Sequence, residues 1–205
     1  MDWYKIGRER TAHKEETWIR EHPEAKDVKT VIMAGAERKL PNGLLARFPN
    51  ATIYLIEPEK DNFEALRQAC LNEPRCILIN KAIWVANGKA TLTVTNSTSS
   101  HSLYQRPGHE RNTQEVNTMD FAEFLGQFDS IDLLRIDVEG AEYAVLLKCF
   151  NEGLMDRVKS LSLELHAHKI AGLTEQHNLL VEKLKRWGMK KSLSIDSPNR
   201  MSLLK

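Results

Sequence analysis

The sequence is short of cysteine, of charge imbalance and of long apolar runs, and each shortage excludes something. Its three cysteines, Cys70, Cys76 and Cys149, are odd in number and lack metal-ligand spacing. A disulfide framework and a zinc module are therefore excluded, and reduced core thiols of a cytoplasmic protein are expected. The formal net charge is only +1, so nothing electrostatic argues for a nucleic acid partner. No stretch approaches the roughly 18 uncharged apolar residues of a membrane-spanning helix. The opening "MDWYKIGRERTAHKEETWIR" lacks the apolar core of a signal peptide, so neither a leader nor a membrane partner is expected. A G-x-G-x-x-G turn is also missing, which weighs against a nicotinamide oxidoreductase on a dinucleotide fold. Nothing in the sequence bears on oligomeric state.

What is present is an ordinary globular composition. The chain has 205 residues, 41% of them hydrophobic and 28% charged, enough for one domain with a sizeable core. Residues 1–29 read as a polar N-terminal helical extension, with the helix ending before His22-Pro23. Residues 30–205 read as the main domain. Strands are expected at "TVIM" (30–33), "TIYLI" (52–56), "CILI" (76–79), "IDLLRI" (131–136) and "SLSLEL" (160–165). Helices are expected at 40–48, 62–71, 119–128 and 141–150, and after Thr174. In "AIWVANGKATLTV" (82–94), Asn87-Gly88 between two β-prone runs predicts a hairpin. Residues 95–116 lack periodicity and read as a long loop of the functional kind. "KSLSI" and "MSLLK" around "DSPNR" read as a closing hairpin.

Strands alternating with helices imply an α/β fold: a mostly parallel sheet with helices on both faces and an antiparallel C-terminal hairpin. Ligands of such sheets bind beyond the carboxyl ends of the strands. Several residues collect there. Gly35 follows the first strand and lets backbone approach a ligand. Glu57 follows the second, where a carboxylate suits two ribose hydroxyls. Asp137, Glu139 and Glu142 follow the strand 131–136, and His166 follows the strand 160–165. Each has a plainer reading. Gly35 can be a turn glycine, and Glu57, Glu139 and Glu142 can be acids favoured by a helix N-terminus. His166 and His168, two apart on an extended chain, face opposite ways and make a poor metal pair. No metal site is expected, and a divalent cation held by the acids' oxygens is the less favoured alternative.

The stretch "LLRIDVEGAEYAVL" (133–146), with its D-x-E-G-x-E after a hydrophobic strand, resembles the most distinctive segment of the FkbM family of S-adenosylmethionine-dependent methyltransferases. "IYLIEPEKDNFEAL", "NKAIWVANGKATLTV", "VNTMDFAEFL" and "SLSLELH" resemble further segments of that family, in order, over roughly residues 30 to 168. The resemblance implies a Rossmann-like class I methyltransferase fold with a seven-stranded sheet, and S-adenosylmethionine as cofactor. It implies that Gly35 and Ala36 line the cofactor's methionine portion. Glu57 would hold the ribose, Ala82 and Ile83 would flank the adenine, and Asp137 would lie beside the methionine portion. Glu139 and Glu142 would face the acceptor, with His166 reaching it from the neighbouring strand. Asp137, Glu139 and His166 are then the expected catalytic groups. The first glycine loop departs from the family's D-x-G-A-N-x-G. In "MAGAERK", Met33 replaces the acid, Glu37 the asparagine and Lys39 the second glycine.

The leading expectation is O-methylation of a hydroxyl on a small molecule or glycan. The acids can serve a cationic cofactor and an acceptor hydroxyl together, because a carboxylate or histidine within reach can take the hydroxyl proton. The alternative is a non-catalytic binding or scaffold protein on the same fold.

Overall fold

The computed structural model describes residues 23–95, 99–105 and 112–188, together with the backbone of 193–197 and 200–204. The helix expected before His22 lies outside these residues. Strands β1 (Thr30–Ala34), β2 (Thr52–Ile56) and β3 (Cys76–Ile79) alternate with helices α1 (Asn42–Arg47) and α2 (Lys60–Ala69). Short strands β4 (Ala82–Trp84) and β5 (Gly88–Thr93) precede β6 (Thr113–Asp120) and α3 (Phe121–Leu125). The chain continues through β7 (Leu133–Ile136), α4 (Glu142–Asn151), β8 (Ser160–Glu164), α5 (Thr174–Gly188), β9 (Leu193–Ser197) and β10 (Arg200–Leu204).

The main sheet has seven strands in the order β3-β2-β1-β7-β8-β10-β9. Strands β3, β2, β1, β7 and β8 pair in parallel, while β10 runs antiparallel to both β8 and β9. The expected doubly covered sheet and closing hairpin are therefore both present. Alternation along the strands builds two cores. Ile32, Ala34, Ile56, Leu134 and Ile136 face one layer with Phe121, Tyr143 and Leu146. Val31, Met33, Ile53, Leu55 and Leu133 face the other with Leu45, Phe48 and Leu66. Successive strand residues point to opposite faces, and both faces are covered, so the strands read as continuous apolar runs. Among the described residues, no helix is long and apolar enough to cross a membrane.

One expectation is overturned. Residues 82–94 do not form a hairpin, because β4 and β5 do not pair with each other. Strand β6 lies between them in a separate three-stranded sheet, parallel to β4 and antiparallel to β5. The Asn87 side chain is used instead as a clip: its amide donates to Glu123, and its carbonyl accepts the Asp120 N–H. Strand β6 occupies 113–120, which truncates the expected loop and delays the helix to Phe121. The Asp120 side chain caps that helix by accepting the N–H groups of Ala122 and Glu123.

Candidate functional site

Beyond the carboxyl ends of β1, β2, β7 and β8 lies a cavity of about 260 Å³, whose wall includes Gly35, Glu57, Ala82, Ile83, Asp137 and Glu139. The switch in strand order, where β2 and β7 flank β1, places it there. Ala36 does not share that wall: it is buried in the core layer with Val31 and Leu45. Lys39 is exposed and does not line the cavity.

Gly35 has a packing requirement. Its φ is +82°, and a Cβ there would fall 1.9 Å from the Asp137 carbonyl oxygen. Only glycine lets the end of β1 pass so close to the end of β7. Its N–H and that of Ala36 both donate to the Ile56 carbonyl. Glu37 follows with φ +58°, a conformation that asparagine tolerates better than glutamate. This turn aims the Glu37 N–H at Glu57 Oε2, 2.8 Å away.

Glu57 is 4% exposed. Its other oxygen accepts the Glu59 N–H at 3.0 Å. Burial pushes its carboxyl up from 4.5 to about 7, against the pull of hydrogen bonds from Glu59, Glu37 and Asn62. Glu57 is not the cap of α2. Glu59 caps it, accepting the N–H groups of Asp61 and Asn62. With the Glu37, Glu59 and Asn62 hydrogens received, one of the carboxylate's four lone-pair sites stays open to a ligand hydroxyl. Asn62, 3% exposed and part of the cavity wall, is a site residue that sequence reasoning assigned no role. Its signal was present as the polar side chain opening an otherwise amphipathic helix.

On the opposite wall the chain turns sharply after β7. Glu139 has φ +55° and Gly140 +118°. A Cβ on Gly140 would meet Ile170 at 2.3 Å and Tyr104 at 2.9 Å. The turn lets Asp137 and Glu139 converge on His166. Asp137 Oδ1 lies 3.7 Å, Glu139 Oε2 3.5 Å and Glu164 Oε1 3.7 Å from His166 Nε2. Asp137 is raised, chiefly by burial and the nearby Glu164 charge, with Arg135 opposing. Burial pulls the His166 imidazole down, but the Glu142 hydrogen bond and the charges of Glu142, Glu139 and Asp137 outweigh it, leaving it raised. Lys169 places its ammonium 3.2 Å from Glu139.

Three expectations change here. Glu142 does not face the acceptor and is no solvated helix acid. It is fully buried, accepting the Gly140 N–H at 2.7 Å and the His166 N–H at 2.9 Å. His166 is likewise fully buried and stands behind Asp137 and Glu139, outside the cavity wall. His166 and His168 also do not face opposite ways. The chain enters a 3-10 turn at Ala167, and the two rings stack with centroids 6.3 Å apart. From the expected loop, Ser99, Ser100, His101 and Leu103 reach the cavity. Ser102 ties that segment to the site by donating to the Glu139 carbonyl at 2.6 Å.

The pattern of the FkbM methyltransferase domain matches residues 34–190. Comparison with curated proteins finds no match. Among solved structures, the chain is similar to the human methyltransferase 10 domain containing protein, at 11% identity and a TM-score of 0.44, covering 94% of this chain and 78% of that one. It is similar to monomeric WbdD at 12% identity and 0.49, covering 100% and 43%. It is similar to the Methanococcus jannaschii fibrillarin pre-rRNA processing protein at 14% and 0.47, covering 87% and 66%.

Proposed function

The chain belongs to the FkbM methyltransferase family, and from that premise we propose that it methylates a hydroxyl oxygen of a small molecule or glycan. Family and fold support a methyltransferase that uses S-adenosylmethionine; the oxygen acceptor is the finer reading. The observation that carries it is the convergence of Asp137, Glu139 and His166 at one end of a cavity whose other wall holds Glu57.

The residues present fit the cofactor chemically. Glu57 offers a buried carboxylate to a ribose hydroxyl, and Ala82 with Ile83 offers an apolar wall. Asp137 and Glu139 set negative charge where a cationic methionine end would lie. S-adenosylmethionine supplies an already activated methyl group, so the protein's task is mainly alignment. Glu139 lines the cavity and orients an acceptor hydroxyl, whose proton passes into the Asp137, Glu139 and His166 cluster. Ser102 holds the Glu139 backbone in place by donating to its carbonyl.

A non-catalytic binding protein on the same fold is the second reading. It is favoured by Met33, which packs in the core where the family carries an acid. Calorimetry with S-adenosylmethionine and S-adenosylhomocysteine tests the cofactor step. The parent should bind, and Glu57→Ala should bind at least about tenfold more weakly, since a hydrogen bond to a charged group is worth about 1.5–3 kcal/mol. Equal affinity would remove Glu57 from the ribose. Binding without methyl transfer to any hydroxyl compound in an acceptor screen would favour the second reading.

A further inference from the structure

The buried histidine behind the cavity has an unusual hydrogen-bond account. Glu142 Oε1 sits 2.9 Å from the His166 backbone nitrogen and 3.1 Å from its Nδ1. A carboxylate can only accept, so Nδ1 carries the proton and donates. That leaves Nε2, completely buried and without a hydrogen-bond partner among the described residues. It does not point into an apolar wall. It points at Asp137, Glu139 and Glu164, 3.5–3.7 Å away. These separations are too long for hydrogen bonds. A neutral ring would set a bare lone pair against carboxylate oxygens that are themselves acceptors, and a proton on Nε2 would find none of them at hydrogen-bond distance. Something positive belongs between them.

We infer that Asp137, Glu139 and His166 form a binding site for a divalent first-row transition metal ion. One ligand atom from each of the three lies within 4.8 Å of the others. Ligands about 2.1–2.3 Å from an ion stand about 3.0 Å apart at right angles and about 4.4 Å apart across it. Separations of 3.5–3.7 Å fall inside that range. Two carboxylates neutralise a divalent ion, and the imidazole favours Mn²⁺, Fe²⁺ or Zn²⁺ over Mg²⁺ or Ca²⁺. Glu142 supplies the outer partner that such sites need: by accepting from Nδ1 it fixes the tautomer and aims Nε2 inward. Glu164 is close enough to serve as a fourth ligand. Lys169, whose ammonium neutralises Glu139, has a one-third exposed side chain and can swing outward. Asp137 and Glu139 also line the cavity, so the ion's remaining coordination positions open onto it. On the transferase reading, to which this role alone is tied, an acceptor oxygen fills one of them.

The test uses the full chain and Mn²⁺ alone, without cofactor or acceptor. Titration followed by the electron paramagnetic resonance signal of free Mn²⁺ should show one saturable site per chain, and Zn²⁺ should compete for it. Pulsed resonance on the bound ion should show nitrogen coupling from the imidazole, absent in His166→Gln. Asp137→Asn and Glu139→Gln should each weaken Mn²⁺ binding at least tenfold while keeping the parental circular dichroism. Should the buried His166→Gln fail to fold, the nitrogen coupling in the parent decides alone. Absence of a saturable site, parental affinity in both carboxylate variants, or a bound ion without nitrogen coupling overturns the proposal. S-adenosylhomocysteine calorimetry on the metal-free chain separates the two readings. Cofactor binding without a Mn²⁺ site sinks the metal and leaves the transferase standing. A Mn²⁺ site without cofactor binding upholds the metal and sinks the transferase.

Discussion

Glu142→Gln probes whether the rim is a built device or a solvated helix start. An exposed acid in the first turn of a helix contributes about 0.3–1 kcal/mol through the macrodipole. Glu142 is completely buried and receives three polar hydrogens, from Gly140 N, His166 N and His166 Nδ1, at 2.7, 2.9 and 3.1 Å. An amide offers only one accepting oxygen. Whichever way the glutamine turns, its NH₂ faces an N–H, and at least one buried donor loses its partner at about 1–3 kcal/mol. The bonds that survive fall from charge-assisted to neutral strength, losing roughly 0.5–2 kcal/mol each. Removing a buried charge returns part of this by ending its desolvation cost. The net loss should be about 2–4 kcal/mol, which is a drop in melting temperature of roughly 5–15 °C for a chain of this size. Urea denaturation followed by circular dichroism measures it, with an unchanged m-value as the check on two-state unfolding. A loss below about 1 kcal/mol would refute the clamp and return Glu142 to the role of a simple helix acid.

Gly35→Ala should be among the costliest single-methyl additions in the chain, because the new Cβ would stand 1.9 Å from a backbone oxygen at φ +82°. Gly172→Ala, at φ +86° with nothing within 4 Å, should cost only the left-handed penalty of about 1–2 kcal/mol; equal melting temperatures for the two variants would contradict the close approach of β1 and β7. Glu57 makes stability depend on pH. Its carboxyl is raised from 4.5 to about 7 in the folded chain, so the folded state holds the proton more tightly, and the contribution is fully present below about pH 4.5 and lost as pH rises through 7. At about 1.4 kcal/mol per pH unit this amounts to about 3 kcal/mol. The stability of the parent minus that of Glu57→Gln should therefore fall across this window, and a flat difference curve would exclude the shift.

The layers and strand ends of this fold were legible because both sheet faces are covered. Runs such as Val31–Ala34 and Leu133–Ile136 are apolar throughout, and a chain must end such a run where water or ligand can receive charge. That is why Glu57, Asp137 and Glu139 could be placed on one rim from the sequence. What stayed hidden depends on direction rather than position. Asn87-Gly88 signals a turn but does not say which strand its neighbours will pair with, and β6 won that place from about 25 residues further on. Burial of Glu142 and His166 was equally invisible. The left-handed turn at Glu139 and the 3-10 turn at Ala167 rotate the side chains away from the faces that simple periodicity assigns. Glu142 and His166 both stand buried behind the rim, and cavity wall and outer support could be told apart only in three dimensions.

The place of β1 in the sheet has a consequence for the chain's birth on the ribosome. β1 is flanked by β2 on one side and β7 on the other. The first neighbour follows within two dozen residues, but the second begins at Leu133. At about 5–20 residues per second, synthesis of the intervening stretch of roughly 100 residues takes on the order of 5–20 s. Throughout that interval Val31–Ala34, apolar and β-prone, presents a bare edge of N–H and C=O groups to any neighbouring chain. The step most open to interception in this protein's life is therefore the wait for its own central strand.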